Sequence, residues 1–481
     1  MTRDHSVLPD KKTKIVATIG PATQSRAMLE QLIANGMNVA RINFSHGDLE
    51  SHLQVIDNVR AAAAALGQRV AILGDLPGPK MRIGELAVEP VTLERGQPFT
   101  IEAGDFVGDT SRVSMQFEGL PQAVKPGDSI YVNDGYIQLE VQAVDGAKVR
   151  CRVVVGGELR SRKGVNFPGI DLGISAFTEQ DRQFLKFAAE HKLDAVSQSF
   201  AQCGEDLETV RDAAAQMGYH PFIIAKIERS RAVDNLDDIL EHTDGIMVAR
   251  GDLGVEIPFE RIAVVQKEII RRASLRSRPI ITATQMLESM ITNRRPTRAE
   301  VTDVANAIID GTDCVMLSAE TSIGQFPVEA VAAMATIARY TEQHADSISL
   351  APSLEALRVA GKLPHDDEIA LSVYRAAEAL APDIILGVTT SGASVRRLAR
   401  FDLAAWIVAI SCREETAQAL VFSRGVHPVY GPERPENENW ARYAVDWLEA
   451  NGVSAKLALL TESTDTRQPR DTAHIEIIHL A

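Results

Sequence analysis

Pro221-Phe-Ile-Ile-Ala-Lys226-Ile-Glu228 and Gly245-Ile-Met-Val-Ala-Arg250-Gly251-Asp252-Leu-Gly254 are two apolar, strand-like runs that stop at charged residues. On a strand, Lys226 and Glu228 lie two positions apart and point to one face. A cation and a carboxylate aimed at one spot, with a second carboxylate (Asp252) closing the next run, suit a divalent cation beside a phosphorylated substrate. Lys226 is flanked by apolar residues, where an ammonium is costly unless paired. The spacing therefore predicts a strand-end charge cluster built for phosphoryl chemistry.

Six more runs share the pattern: Lys14–Ile19, Val39–Asn43, Val70–Asp75, Asp194–Ser199, Pro279–Thr284 and Asp313–Ser318. With Phe222–Ile227 and Gly245–Arg250 they make eight. Helical patterns separate most of them, at Ala27–Asn35, Leu49–Leu66, Glu179–His191, Asp206–Met217, Phe259–Leu275 and Arg298–Ile309. Repeats of roughly 25 to 35 residues have the length of a βα unit. Eight units predict an α/β protein with a closed (β/α)8 TIM barrel, formed by residues 1–75 and 172–344.

One interval breaks the rhythm. Residues 76–171 are rich in turn signals (Pro126-Gly127, Asp134-Gly135, Asp145-Gly146, Gly156-Gly157) and in alternating strands at Tyr131–Val144 and Val149–Val155. They predict an inserted all-β domain, a β-barrel lid over the barrel mouth. A helix at Pro327–His344 precedes a less regular linker, Ala345–Asp367. The remainder alternates helix and strand (Ile369–Leu380, Ile384–Thr389, Ser394–Phe401, Trp406–Ile410, Ile475–His479). Residues 345–481 therefore form a C-terminal open α/β domain in this reading.

Composition narrows the partners. The net charge of −15 argues against nucleic acid, though not against a local cationic pocket. No apolar run reaches the roughly eighteen residues that a membrane span needs, and Met1–Lys14 lacks the apolar core of a signal peptide. Cys151, Cys203, Cys314 and Cys412 are scattered without a C-x-x-C pair, which fits a reducing cytoplasm rather than a disulfide framework or a zinc site.

In a TIM barrel, function sits at the C-terminal strand ends. Those ends are Arg41-Ile-Asn43-Phe-Ser45-His46, Asp75, Ser199, Lys226-Ile-Glu228, Arg250-Gly251-Asp252, Thr284-Gln285 and Ser318-Ala-Glu320. A solvated rim accounts for some of these polar residues, but not for Lys226 inside an apolar run.

Several stretches resemble pyruvate kinase. They are Asn38-Val-Ala-Arg-Ile-Asn-Phe-Ser-His-Gly47, Ser161-Arg-Lys-Gly-Val-Asn-Phe-Pro-Gly169, Ile224-Ala-Lys-Ile-Glu228, Gly245–Pro258, Ala283-Thr-Gln-Met-Leu-Glu-Ser-Met290 and Leu317-Ser-Ala-Glu-Thr321. The resemblance covers almost the whole chain. It implies a glycolytic enzyme that moves the phosphoryl group of phosphoenolpyruvate to ADP, giving pyruvate and ATP. It also implies Mg2+ or Mn2+ as cofactor, a homotetramer, and no nucleic acid or membrane partner. Carried over by residue, it makes Lys226 the catalytic cation and Glu228 and Asp252 the metal carboxylates. Gly251 and Asp252 receive the substrate carboxylate on backbone N–H groups. Arg41 clamps the substrate phosphate, and Thr284 relays the proton that completes pyruvate. Asn43, His46, Arg82 and Lys163 match nucleotide-side positions. Arg250 structures the mouth through a carboxylate or touches substrate, two readings left open, and Ser318 and Glu320 support the site from behind.

One segment departs from the potassium-requiring members of that family. Asn43, Ser45 and Asp75 match their monovalent-cation site, but Leu76, Pro77 and Lys80 stand where they carry Thr, Lys and Glu. An ammonium from Lys80 in place of a bound ion predicts that potassium is not required, as in the potassium-independent bacterial group. In the C-terminal region, Thr389, Thr390, Ser391, Gly392 and Ser394 form a hydroxyl-rich loop before a helix, a cradle for phosphate. The resemblance implies a phosphorylated activator there. Positions 390 and 393 lack the basic residues of members that respond to a bisphosphate, and Arg467 and Arg470, in the loop before the last strand, are the alternative effector contacts, which favours a sugar monophosphate or a nucleotide. Two rivals remain: a magnesium-dependent barrel lyase or phosphomutase, and a catalytically silent metabolite sensor.

Overall fold

The computed structural model describes residues 8–345, 348–431, 440–462 and 474–480. Eight parallel strands close a barrel in sequential order: β1 (Lys14–Thr18), β2 (Val39–Asn43), β3 (Ala71–Leu76), β4 (Ala195–Gln198), β5 (Phe222–Ile227), β6 (Gly245–Ala249), β7 (Ile280–Ala283) and β8 (Cys314–Leu317). Each lies within a residue or two of its predicted run, because an apolar stretch buried on both faces has no periodicity to misjudge. A helix follows each strand: α1 (Arg26–Ala34), α2 (Leu49–Leu66), α3 (Glu179–Glu190), α4 (Gly204–Gln216), α5 (Leu236–His242), α6 (Ile262–Leu275), α7 (Arg298–Ile309) and α8 (Pro327–His344). Ser25, Asp48, Thr178 and Thr297 cap α1, α2, α3 and α7 by accepting from backbone N–H groups of the first turn.

Register is pinned at alternate strands by one repeated device. The residue preceding an even-numbered strand accepts a hydrogen bond from the backbone of the strand before it. Asn38 takes Ile15 N–H at 3.0 Å, Asp194 takes Ile72 at 2.7 Å, Asp244 takes Ile223 at 3.0 Å and Asp313 takes Ile280 at 3.0 Å. A slip by one residue would turn every interior side chain outward, so these polar anchors specify which residues reach the mouth. The barrel is closed at its N-terminal end by Phe422 from the C-terminal region, stacked on Phe222 with ring centroids 5.4 Å apart.

The insertion contains a two-stranded sheet (Val91–Leu93, Gly157–Leu159) and a six-stranded sheet. In the larger sheet the order is Val165–Asn166, Ser129–Val132, Ile137–Asp145, Lys148–Val155, Pro98–Ala103, Arg112–Met115. The two edges of this sheet are joined by the segment entering the insertion, where Arg82 bridges to Gly164 and Ile83 to Met115, so the inserted domain is a mostly-β half-barrel. A short helix, Leu120–Ala123, interrupts the all-β pattern.

The expected irregular linker also holds a helix, Ala351–Val359, whose buried Leu354 packs against Ala370 and Leu371. Beyond it, α9 (His365–Leu380) and α10 (Ala393–Ala399) flank a five-stranded sheet. Its order is Val426–Tyr430, Trp406–Ser411, Ile384–Val388, Leu457–Glu462, His474–His479, with only the last pair antiparallel.

Candidate active site at the barrel mouth

Neighbouring strand ends bring four charged side chains into one hydrogen-bonded cluster, with Asp75 as its hub. Arg41, on β2, donates from Nε to Asp75 Oδ2 at 2.9 Å and also pairs with that oxygen through Nη2, while Nη1 donates to Thr18 Oγ1 at 2.9 Å. Ser197 Oγ, on β4, donates to Asp75 Oδ1 at 2.7 Å. Lys226 Nζ, on β5, stands 3.4 Å from Asp75 Oδ1, 2.8 Å from Glu228 Oε1 and 2.7 Å from Ser199 Oγ. Burial of this kind is tolerated only with such partners: Asp75 is 2% exposed and Glu228 1%.

The electrostatics follow from that geometry. Burial pushes the Asp75 carboxyl up, but the Lys226 and Arg41 cations and the Ser197 hydroxyl outweigh it and hold it below the usual carboxylate range. Burial alone would depress Lys226, yet Asp75 and Glu228 carry it to about 12, so it is an ammonium at neutral pH. Burial is the largest influence on Glu228 and keeps it above the ordinary range, with Asp252 adding repulsion and Lys226 opposing. Glu228 also accepts the Phe200 N–H at 2.9 Å, directed inward by a left-handed backbone (φ 59°).

Asp252 lies in the first turn of a short helix, Arg250–Glu256, that springs directly from β6. Two adjoining carboxylates are few ligands for a closed protein cage, but they suit Mg2+, which binds through one or two carboxylates and takes its remaining ligands from water and substrate phosphate. The donor set therefore fits such an ion.

Thr284 ends β7 in a left-handed conformation (φ 68°), as does Gln285 (φ 56°). For a β-branched residue that backbone is strained and persists only where its surroundings over-determine it. Arg250 supplies the restraint: it donates to Thr284 O at 2.7 Å and Ala283 O at 3.2 Å, and pairs with Asp303 Oδ1 at 2.7 Å. Thr284 Oγ1 accepts Gly251 N–H at 2.7 Å and donates to Ala283 O at 2.6 Å. One N–H assigned to the substrate carboxylate is thus capped by Thr284. Behind this loop, buried Glu320 accepts Leu287 N–H at 3.1 Å and Ser318 N–H at 2.7 Å.

Other sequence candidates fall around this cluster. Asn43 Oδ1 accepts Ser45 N–H at 3.1 Å, a turn-forming contact, and Ser45 and His46 are exposed on the rim. Arg82 and Lys163 are brought together where the insertion leaves and rejoins: Arg82 pairs with Gly164 in a β-bridge, and Ile83 N–H donates to Lys163 O at 3.0 Å. Lys80 is not brought to Asp75. It is exposed, and its Cε lies against Gly164, 3.6 Å from where a Cβ on that glycine would sit. The cations facing Asp75 are Arg41 and Lys226.

In the C-terminal region, Thr389 Oγ1 accepts Gly392 N–H at 2.9 Å and Ser394 Oγ at 3.2 Å, while Thr390 O accepts Thr416 Oγ1 at 2.8 Å. Gly392 is left-handed (φ 79°), and a Cβ there would approach Arg396 Nη1 to 2.7 Å. Arg467 and Arg470 lie outside the described residues. Sequence reasoning missed Thr18 and Ser197 and gave Ser199 no role. Their signal was a hydroxyl residue near the C-terminal end of an otherwise apolar run.

Comparisons with known proteins bear on this site. A family profile described as "Pyruvate kinase, barrel domain" matches residues 10–331, and one described as "Pyruvate kinase, alpha/beta domain" matches residues 367–478. The chain is 47% identical over 424 residues to a pyruvate kinase of Thermococcus litoralis, covering 88% of this chain and 89% of that protein. It is 43% identical over 463 residues to pyruvate kinase II of Salmonella typhimurium, covering 94% and 95%. A crystal structure of a pyruvate kinase from Cryptosporidium parvum superimposes with a TM-score of 0.89 at 33% identity, covering 98% of this chain and 96% of that one.

Proposed function

The chain belongs to the pyruvate kinase family, and from that premise we propose how its own residues divide the work of the reaction. It is a glycolytic phosphotransferase that acts on phosphoenolpyruvate and ADP, in a family that generally uses a divalent metal. Membership removes the lyase and phosphomutase alternatives. Among the described residues, no helix is long and apolar enough to cross a membrane.

Arg41 uses three of its five N–H donors on Asp75 and Thr18, which leaves two for oxygens of the substrate phosphate. Lys226 spends its three N–H donors on Ser199, Glu228 and Asp75. Glu228 and Asp252 would hold the divalent cation, and the Lys226 donor that faces Glu228 is placed to serve the transferring phosphoryl group and the enolate oxygen left behind. When bound, that cation would neutralise charge on the phosphate. The phosphorus–oxygen bond to the enol breaks as ADP's terminal oxygen bonds phosphorus. The enolate then takes a proton at its methylene carbon. Thr284 relays that proton through water, exchanging its Gly251 contact so that Gly251 and Asp252 N–H groups meet the substrate carboxylate. Arg82 and Lys163 at the insertion's hinge, with Asn43 and His46 on the rim, face the nucleotide.

The observation that carries this reading is the Arg41–Asp75–Lys226–Glu228 cluster: two buried cations and two buried carboxylates at neighbouring strand ends. Potassium independence belongs to the same proposal. Its support is the Leu76, Pro77 and Lys80 substitutions together with an Asp75 whose charge Arg41 and Lys226 already balance. Activation by a phosphorylated metabolite at Thr389–Ser394, a homotetramer and a cytoplasmic location complete it. The test is pyruvate formation from phosphoenolpyruvate, ADP and Mg2+ in potassium-free buffer. Turnover there is expected. Turnover only after potassium is added removes the potassium argument and leaves the roles at the mouth. Full activity in Lys226→Met would overturn those roles.

A further inference from the structure

Away from the mouth, a cavity of about 270 Å³ opens between the underside of the barrel and the C-terminal region. Its walls come from α6, the α6–β7 turn, the α7–β8 turn, α10 and the segment around Arg424. At that size it suits a small metabolite.

The lining is unevenly neutralised. Its carboxylates are engaged: Asp310 with Lys267, Glu268 with Arg271 at 3.1 Å, Asp402 with Arg424 at 3.2 Å, and Asp313 with the Arg424 backbone N–H at 2.9 Å. Two of its guanidiniums are not. Arg278 and Arg396 are both half-buried, and among the described residues neither has a carboxylate within 4.0 Å. Arg278 Nε donates to Leu240 O at 3.0 Å, and Arg396 Nη2 to Ser391 O at 3.2 Å, which are neutral partners. The nearest acid that offsets them, Asp244, is bound to Arg211 at 3.0 Å. Two more lining arginines, Arg400 and Arg424, have side chains only 2% and 7% exposed, and each leaves Nε without an acceptor. Burial lowers Arg396 to about 10, with repulsion from Arg278 and Arg397 added against the pull of Asp244. Arg400 and Arg424 are paired with Asp367 and Asp402, but Arg278 and Arg396 have no such partner among the described residues, and an anion in the cavity would supply one.

We propose that this cavity is an anion site that takes a phosphate group, clamped between Arg278 of the barrel and Arg396 of the C-terminal region. It is separate from the catalytic mouth and does not use the hydroxyls of Thr389–Ser394. Arg396 nonetheless links the cavity to that loop through Ser391, and its guanidinium lies 5.8 Å from the ring of Phe222, the first residue of the strand that carries Lys226. One bound anion would therefore tie the barrel to the C-terminal region.

The experiment is equilibrium dialysis of the full chain against radiolabelled inorganic phosphate, without Mg2+ or substrates, counting saturable sites. Arg278→Met and Arg396→Met are each expected to lose one site, or to weaken it at least tenfold, while Thr389→Val keeps it. Circular dichroism checks each fold, and either arginine variant suffices if the other fails. Equal site number and affinity in the wild type and the folded arginine variants overturns the proposal. Glycerol 3-phosphate distinguishes the source. Tighter binding than phosphate assigns the site to a phosphorylated metabolite, and equal binding assigns it to the free ion; both sustain phosphate recognition.

Discussion

Replacing Lys226 by Met tests the mouth most directly. The change removes a cation that touches Glu228 at 2.8 Å, Ser199 at 2.7 Å and Asp75 at 3.4 Å. Asp75 keeps Arg41 and Ser197 and stays ionised. Among the described residues, Glu228 keeps the Phe200 N–H as its hydrogen-bond partner. Breaking a buried ion pair ordinarily costs about 3–5 kcal/mol, but Glu228 has an escape. Protonating an ordinary glutamate at pH 7 costs about 4 kcal/mol, and burial already lifts Glu228 above the ordinary range, so the penalty falls below that figure. The variant should fold. Catalysis suffers more, because loss of one oxyanion donor costs about 100- to 1,000-fold in turnover, and here the donor carries full charge. The expected fall in kcat is at least 1,000-fold in a coupled pyruvate assay. Glu228 would also lose its competing cation, so Mn2+ binding, followed by electron paramagnetic resonance above pH 7, should hold or tighten. A folded variant with kcat within tenfold of the wild type would refute the role given to Lys226. Strongly weakened Mn2+ binding would refute the exchange of Glu228 between Lys226 and the metal.

Three further outcomes are expected. Thr284→Val removes both hydroxyl contacts and should lower kcat about 100- to 10,000-fold, with Thr284→Ser restoring most of it. Equal loss in both variants would point to backbone strain rather than to the hydroxyl. Arg250→Met strips the carbonyls of Ala283 and Thr284 and the Asp303 carboxylate of their shared donor. With Asp303 partly exposed, the cost should be about 2–4 kcal/mol, read from denaturant unfolding, together with a raised KM for phosphoenolpyruvate. Finally, burial, with repulsion from Lys14, lowers Lys11 to about 7. Between that value and the ordinary lysine pKa the unfolded chain holds more protons, so this group's penalty is full below pH 7 and fades as pH rises. The melting temperature of Lys11→Met minus that of the wild type should therefore fall between pH 7 and 9, and a pH-independent difference would sink the reasoning.

The barrel was legible along the chain. Apolar β-runs ending in polar residues and helices opened by Ser, Asp or Thr caps are short-range signals, and α2 and α7 begin and end where their patterns did. Lys226 and Glu228 were legible for the same reason, since a two-residue spacing on a strand places side chains without reference to the rest of the chain. Which charge neutralises which emerged only from the folded chain. Asp75, Arg41, Ser197 and Lys226 come from four strands spread over more than 150 residues, and barrel closure made them neighbours. Lys80 sits five positions from Asp75, yet the chain turns at left-handed Gly78 and carries it to Gly164. Thr284 capping Gly251, Phe422 closing the barrel floor and the cationic cavity above α6 all join residues with no local pattern in common. The physical reason is range. Hydrophobic periodicity and capping act within a few residues and survive in a linear reading, whereas charge pairing depends on distances that exist only once the sheet has closed.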